Sequence, residues 1–329
     1  MATFPFDLPT METIAALRTP GLTKLFLLAS EIGDTQGYVL IGTLIYVVFD
    51  KRLAVRLSIL VLLASCLNHV LKISIGNPRP FMQEGDYLQK WAVPPDNAHE
   101  LAAEYSTPSG HAMAAASFYA YLYGCVRRLP VRIIAVLAIL LIGLSRPYLG
   151  VHYVGDILLG WAVGLGTALI ALRYADGISL AWSRLPWRWQ IGISVAASLT
   201  VWIATLAIND WRFDGQPRAF MGAAGTLTGL VIARPLELGL VNFDPKSGSV
   251  LAKIVRYLLT VALALLTLKG LGAAFGAMTD SFSLAGYLLQ YVRYIAVGIV
   301  SLFLAPLIFT RLGLAKAEER AAAPRIATS

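Results

Sequence analysis

Charged residues are scarce in this chain. Asp, Glu, Lys and Arg make up 14% of its 329 residues, whereas a soluble domain carries about 25%. This scarcity excludes an ordinary soluble globular domain. Hydrophobic residues make up 57% of the sequence, and they fall in runs of roughly 16 to 22, which is long enough for helices that cross a bilayer. The composition therefore predicts an all-α fold, a polytopic membrane helical bundle.

Cysteine and histidine are scarce as well. The two cysteines, Cys66 and Cys125, fall near opposite ends of different predicted spans, so they do not indicate a disulfide framework. No cluster of His, Asp and Glu has metal-ligand spacing, so we expect neither a metal nor another cofactor. The net charge of +8 comes without a basic, aromatic-interleaved segment, so no nucleic-acid partner is expected. The first residues lack a basic segment followed by an apolar run, so no cleavable signal peptide is expected.

The order of the hydrophobic runs predicts four regions. Residues 1–34 are mixed in polarity, so we expect an amphipathic segment at the membrane interface. A transmembrane core is predicted over 35–174, a C-terminal transmembrane extension over 175–313 and a disordered cytoplasmic tail over 314–329. The nine predicted spans are 35–50, 53–71, 109–126, 131–145, 153–173, 189–207, 217–233, 254–276 and 288–310.

Lys and Arg in the short loops predict the orientation of these spans. With nine spans, the clusters that begin at Lys51, Arg127, Arg173, Arg234 and Arg311 all lie on one side, which the positive-inside rule assigns to the cytosol. The loop over 72–108, which is rich in Asp and Glu, is then on the non-cytoplasmic side. We expect a multi-pass protein of a bacterial inner membrane, with this loop on the periplasmic face.

Three polar stretches fall on that non-cytoplasmic side. They are KISIGNPRP at 72–80, PSGH at 108–111 and SRPYLGVHYVGD at 145–156. Because each stretch adjoins the end of a predicted span, the topology brings all three to one membrane face. The candidate site residues that they supply are Lys72, Arg79, Ser109, Gly110, His111, Arg146, His152 and Asp156.

These residue types fit phosphate chemistry. Three cations suit a multiply charged anion, and arginine offers a planar fork of donors to phosphate oxygens. Ser109 and Gly110 open a predicted helix, where free backbone N–H groups favour an anion. His152 and Asp156 are four residues apart, so on a helix the carboxylate would hold one imidazole nitrogen and leave the other as a nucleophile or base. His111 would then be the acid.

Each of these residues also has a structural interpretation when it is taken alone. A single Arg or Lys at a helix end is often a snorkelling anchor, and Arg293, farther along the chain, is interpreted as one. A single His near an interface is often structural. Gly160 and Gly164 have the spacing of close helix packing. The joint order of the three stretches favours a site.

The spacing resembles a known signature. The three stretches read Lys, six residues, Arg-Pro; then Pro-Ser-Gly-His; then Ser-Arg, five residues, His, three residues, Asp. This pattern is similar to the tripartite motif of the type 2 phosphatidic acid phosphatase superfamily, which also contains the vanadium haloperoxidases. Every signature position is filled over residues 72–156. The resemblance implies an acid phosphatase/haloperoxidase-like helical core, with additional C-terminal transmembrane helices beyond it.

The resemblance also implies a role for each residue. His152 would attack phosphorus and form a phosphohistidine, Asp156 would orient His152, and His111 would protonate the leaving oxygen. No metal takes part in this scheme. The groups implied to hold the phosphoryl oxygens are Lys72, Arg79, Arg146, Ser109 and the Gly110 amide.

The function expected from these observations is hydrolysis of a terminal phosphate of a membrane lipid on the non-cytoplasmic face. Phosphatidate, phosphatidylglycerophosphate, prenyl diphosphate, sphingoid phosphate and lipid A phosphate are all open as substrates. A phosphatase of a soluble phosphomonoester is the alternative, because the nine-span layout is similar to that of glucose-6-phosphatase. A peroxidase that binds vanadate and a catalytically silent transporter or scaffold are further alternatives. The sequence gives no indication of oligomeric state.

Overall fold

The computed structural model describes residues 4–82, 104–212 and 215–318, with the side chains of 215–218 left out. Within these ranges the regular structure is helical, apart from one isolated bridge between Phe243 and Ala317, so the prediction of an all-α bundle is confirmed. In chain order the helices are α1 (Asp7–Ala16), α2 (Pro20–Ile32), α3 (Thr35–Leu44), α4 (Lys51–Ile75), α5 (Gly110–Cys125), α6 (Leu129–Tyr148), α7 (Val154–Ser183), α8 (Trp187–Ile208), α9 (Gly215–Leu236), α10 (Val250–Met278), α11 (Leu284–Ile299) and α12 (Ala305–Arg311). The π-helical segments that continue α3, α9 and α11 are Ile45–Phe49, Glu237–Val241 and Val300–Leu304.

Seven helical stretches of the described chain are long and apolar enough to cross a membrane. They are Lys51–Met82, Leu129–Tyr148, Val154–Ser183, Trp187–Ile208, Ala219–Val241, Val250–Met278 and Leu284–Arg311. The pair formed by α2 and α3 is bent by 63° and makes an eighth if it is one broken span. α5 has 16 residues, fewer than the roughly 20 that a span needs. The protein is thus multi-pass, and the count of nine spans stays a prediction although a helix lies in each predicted range.

The N-terminal helices pack onto the core. Asp7 is buried, and its carboxylate accepts hydrogen bonds from the backbone N–H groups of Phe4 and Gly155, both at 2.8 Å. The Phe26 ring of α2 lies 4.5 Å from the Tyr148 ring at the end of α6. These contacts tie the segment predicted as interfacial to the ends of α6 and α7.

Helices α5 and α7 approach each other closely at two glycines. A Cβ atom at Gly160 would lie 2.9 Å from the Ser109 carbonyl oxygen, and one at Gly164 would collide with the Met113 carbonyl. Only glycine leaves room for the neighbouring backbone at these positions. The predicted close packing is confirmed, and it holds the two helices that carry the second and third polar stretches together.

A buried lysine organises the opposite end of the bundle. Lys51 begins α4, and its Nζ donates to Asn242 Oδ1 and to the Phe243 carbonyl, both at 2.8 Å. It also lies 3.3 Å from Glu237 and 3.4 Å from Glu318. A charge removed from water needs such partners. The start of α4, the segment that follows α9 and the segment that follows α12 therefore meet at one end of the bundle.

The start of the predicted disordered tail is part of this end. Ala315 is buried, and Ala317 pairs with Phe243 in an antiparallel bridge. The Glu318 N–H donates to the Asn242 carbonyl at 2.6 Å. Residues 314–318 are therefore packed rather than disordered, because the backbone pairing and the charge on the buried lysine hold them. The rest of the predicted tail lies outside the described residues.

Candidate active site

The three polar stretches meet at one end of helices α4 to α7. α4 ends at Gly76, whose φ of 64° is a left-handed conformation that favours glycine. The Gly76 N–H donates to the Lys72 carbonyl at 2.9 Å. The chain then turns, and the Ser106 N–H donates to the Asn77 carbonyl at 2.7 Å. This contact places Arg79 beside the segment that precedes α5.

His152 and Asp156 form the expected pair, but His152 is not on the helix that carries Asp156. His152 lies in the turn before α7, which begins at Val154, so the two side chains do not stack along a helix. His152 Nδ1 is 3.4 Å from Asp156 Oδ2. Asp156 stands in the first turn of α7 and accepts a hydrogen bond from the Tyr153 N–H at 2.9 Å. The pairing therefore depends on the turn as well as on the four-residue spacing.

Two hydroxyl groups that sequence reasoning missed hold Asp156 in place. Ser106 Oγ donates to Asp156 Oδ2 at 2.5 Å and lies 3.2 Å from His152 Nδ1. Thr107 Oγ1 donates to Asp156 Oδ1 at 2.5 Å and accepts from Asn77 Nδ2 at 2.8 Å. Both carboxylate oxygens are thus bonded. The position of the two hydroxyls immediately before the Pro-Ser-Gly-His stretch is the one sequence signal that pointed to them.

The carboxylate of Glu104 is joined to His152 through Arg79. Glu104 Oε2 accepts hydrogen bonds from Lys72 Nζ at 2.8 Å and from Arg79 Nη2 at 3.0 Å. Arg79 Nη1 donates to His152 Nε2 at 3.2 Å, so one guanidinium links the imidazole to the carboxylate. Sequence reasoning counted Glu104 only among the acidic residues of the outer loop, and its local sequence carries no sign of these contacts.

The electrostatics of this cluster set two protonation states. Burial alone would raise the pKa of Glu104, but the charges of Lys72 and Arg79 hold it below its ordinary value, so Glu104 is ionised. Burial lowers the pKa of His152 well below its ordinary value, and the positive charges of Arg79 and Arg146 lower it further. The imidazole is therefore neutral near pH 7. Since Nε2 accepts from Arg79, the proton is on Nδ1 and faces Asp156.

Arg146 and His111 lie around the same cluster. Arg146 Nη1 donates to Ser30 Oγ of α2, whereas its Nε is buried and has no hydrogen-bond partner among the described residues. This Nε–H is a donor available to a bound anion. His111 is half-buried in the first turn of α5, within electrostatic range of His152 and Arg146.

The start of α5 completes the site. Ser109 caps the helix, with its Oγ accepting from the Ala112 N–H at 3.4 Å, and its own N–H donates to the Asp156 carbonyl at 3.1 Å. A Cβ atom at Gly110 would lie 3.1 Å from Asn68 Oδ1, so the backbone approaches α4 closely. The structure thus brings all eight predicted residues to one region. Hydrogen bonds or an ion pair connect five of them directly or through Glu104: Lys72, Arg79, Ser109, His152 and Asp156.

Comparison with known families fits this arrangement. Residues 53–180 match the PAP2 superfamily, and residues 221–317 match the transmembrane extension of PAP2 superfamily phosphatases. The chain belongs to the PAP2 superfamily. In this PAP2 protein the first matched range holds the whole candidate site. The second holds most of α9 and all of the helices that follow it.

Individual relatives of the PAP2 protein are bacterial. Phosphatidylglycerophosphatase B of Bacillus subtilis strain 168 is 44% identical over 92 residues, which is 24% of this chain and 44% of that protein. The chain therefore spans less than half the length of this curated relative. The crystal structure of Aquifex aeolicus LpxE has 27% identity and a TM-score of 0.44, covering 53% of this chain and 99% of that one. A phosphatidylglycerolphosphate phosphatase from Bacillus subtilis has 26% identity and a TM-score of 0.39, covering 51% and 83%.

Proposed function

We propose that this PAP2 protein is an integral membrane phosphatase that removes the terminal phosphate of a lipid through a phosphohistidine, without a metal. One observation carries the proposal. The neutral Nε2 of His152 faces Arg79 and an anion-binding space in which Lys72 and Arg79 hold the Glu104 carboxylate. A phosphoryl group carries the same kind of anionic oxygens as that carboxylate, so a substrate phosphate would displace Glu104 and take over its two cations.

Binding of the phosphate would use donors that the site already presents. Lys72 and Arg79 would each turn from Glu104 to a phosphoryl oxygen, and the buried Nε–H of Arg146 would find its acceptor there. The first turn of α5, opened by Ser109 and Gly110, adds backbone N–H groups. Fixed donors of this kind stabilise the charge that gathers on the phosphoryl oxygens in the transition state.

Transfer would then proceed in two balanced steps. In the first, His152 Nε2 forms a bond to phosphorus while the bond from phosphorus to the lipid oxygen breaks. His111, which would be protonated once the negatively charged phosphate is bound, gives its proton to that oxygen. Asp156 stabilises the positive imidazole through the Nδ1–H. In the second step His111 takes a proton from water, the water oxygen bonds to phosphorus, and the phosphorus–nitrogen bond breaks to release inorganic phosphate.

The substrate is proposed to be a lipid because the surroundings of the site are apolar. Ile75, Met82 and Leu144 are all exposed and lie within three residues of Lys72, Arg79 and Arg146 respectively, so an acyl chain could stay in the bilayer beside them. The names of two relatives make phosphatidylglycerophosphate the first substrate to test. The excess of Lys and Arg in the opposite loops supports a site on the non-cytoplasmic face of a bacterial inner membrane.

Phosphate release from the purified full-length protein in mixed micelles tests this proposal. Phosphatidylglycerophosphate and phosphatidate should be hydrolysed in excess chelator, and vanadate should inhibit the reaction. Lys72→Ala should lower kcat/KM at least about a hundredfold, because it removes a charge-assisted contact to the phosphate. The matched control is Lys269→Ala, which removes an exposed cation of α10.

Three results would overturn parts of the proposal. Glucose 6-phosphate hydrolysed as well as the best lipid would replace the lipid substrate with a soluble phosphomonoester. A strict requirement for Mg²⁺ or Zn²⁺ would remove the metal-free mechanism. No turnover of any phosphate ester would favour a silent transporter or scaffold.

A further inference from the structure

Arg293 is a cation inside the membrane-spanning helix α11, away from the candidate active site. Its guanidinium packs on Gly272 of α10, where an added Cβ atom would lie 2.9 Å from Arg293 Cζ. Arg293 Nε donates to the Leu268 carbonyl at 2.8 Å, and Nη1 donates to Gln290 Oε1 at 3.4 Å. The side chain therefore packs between α10 and α11; its interpretation as an interfacial anchor stays a prediction.

The charge of Arg293 is not balanced by a carboxylate in the part of the chain that the structure describes. An arginine at membrane depth is costly unless it meets an anion or water, so such a residue indicates a functional site. Within the same part of the chain, the Nη2 group has no hydrogen bond to protein. One edge of the guanidinium thus remains available to a ligand.

A small cleft with about 30 Å³ of free space, open on one side, lies in front of this guanidinium. Gly272, Gly276 and Gly286 line the cleft, together with the hydroxyl residues Thr279 and Ser281. A Cβ atom at Gly276 would meet nothing within 4 Å. The cleft therefore joins one cation to small polar groups in a surface that is otherwise apolar.

The cleft is on the same membrane side as the candidate active site. The start of α10 follows the 242–249 loop, which lies beside Lys51 at the start of α4. The C-terminal ends of α4 and α10 therefore lie on the same side. The candidate active site is at the C-terminal end of α4, and the cleft is at the C-terminal end of α10. The eight candidate catalytic and phosphate-binding residues belong to α4–α7 and the segments that join them, so the two sites share no helix.

The chemistry of the cleft fits one kind of ligand. A guanidinium fork matches phosphate oxygens. Leu266, Leu288 and Val292 on α10 and α11 are exposed, so acyl chains could pack against them. The cleft offers one cation, and the exposed Asp280 stands in the loop beside it. We propose that the cleft binds the singly charged phosphodiester of an anionic membrane lipid, as a second phosphate site that is not catalytic.

Lipid binding by the full-length protein tests this proposal. Native mass spectrometry of the detergent-purified protein, titrated with dioleoyl phosphatidylglycerol, gives the affinity of the tightest bound lipid. Arg293→Gln should weaken that affinity at least about tenfold, because a charge-assisted bidentate contact is lost. Gly276→Leu should do the same by filling the cleft while the arginine remains. Lys269→Gln removes an exposed cation from the same helix and should change the affinity less than twofold.

The outcomes separate this proposal from its alternatives. Unchanged lipid affinity in Arg293→Gln, with an unchanged melting temperature, would overturn it. Displacement of the lipid by millimolar inorganic phosphate alone would show a site for a free anion and would overturn the assignment to a lipid. Phosphatase activity of Arg293→Gln within about twofold of wild type is expected, so the proposal stands or falls separately from the proposed function.

Discussion

Glu104 occupies the space proposed for the substrate phosphate, so its removal should strengthen substrate binding. In Glu104→Gln the side chain keeps its shape and loses its charge. A hydrogen bond to a charged partner contributes about 1.5–3 kcal/mol, and the carboxylate makes two, to Lys72 and Arg79. The amide oxygen can still accept from both cations, and the Glu104 side chain is 33% exposed, so only part of this energy is lost.

We take that part as about 1.4 kcal/mol, which corresponds to a tenfold change in an equilibrium constant. The prediction is therefore a KM about tenfold lower in Glu104→Gln, a Ki for vanadate lower by a similar factor, and a kcat within about twofold of wild type. Steady-state phosphate release in mixed micelles measures all three. Glu31→Gln is the matched control, because it removes an exposed negative charge from α2, the helix that reaches Arg146.

The result that would refute this reasoning is a large loss of kcat in Glu104→Gln. Such a loss would mean that the carboxylate takes part in the reaction instead of leaving the site. A raised KM would also refute it, because the carboxylate would then help to hold the substrate or to arrange Lys72 and Arg79 for it.

The remaining predictions concern the nucleophile, its support, its titration and the orientation of the chain. His152→Ala should remove turnover by several orders of magnitude with an unchanged melting temperature, and activity within tenfold of wild type would exclude the phosphohistidine. Ser106→Ala should lower kcat about tenfold at constant KM, less than Asp156→Asn does, because it removes one hydrogen bond to a charged group; a change confined to KM would count against a positioning role. Because protonated His152 cannot attack and its pKa is lowered by burial and neighbouring cations, kcat should fall only as the pH drops below about 6.5, and a profile that falls already from pH 8 to 7 would contradict this. Single cysteines at the exposed positions Arg184 and Asp280, in a background without native cysteines, should react with an impermeant reagent from opposite sides of the membrane; labelling from one common side would disprove the topology.

The chemistry-bearing residues could be predicted from the sequence because they lie in short motifs of fixed spacing. Each stretch adjoins the end of an apolar run, so counting the runs was enough to bring Lys72, His111 and His152 to one region. The count itself was less secure, since α5 is short and α3 is bent relative to α2. An error in the number of spans does not change the predicted site, as long as the helix ends next to the three polar stretches remain on one side of the membrane.

Contacts between distant segments could not be predicted in the same way. The hydrogen bonds of Glu104 and Ser106 depend on how the segment before α5 folds over α4 and α7, and a single acidic or hydroxyl residue has no local signature for that. The position of His152 in a turn was missed because four-residue spacing fits both a helix and a tight turn. Lys51 was counted as a loop cation, because burial with Glu237 is visible only when the helices are packed.

The partners of Lys51 have a consequence for the order in which the protein is made. Glu237 follows Lys51 by 186 residues, and Glu318 comes later still. At about 5–20 residues per second, synthesis from Lys51 to Glu237 takes on the order of ten to forty seconds. Until then the ammonium has no acidic partner from the C-terminal segments, and a charge buried without its partner is strongly unfavourable. The first turn of α4 should therefore stay in contact with water during insertion and should settle into the bundle only after α9 has entered the membrane.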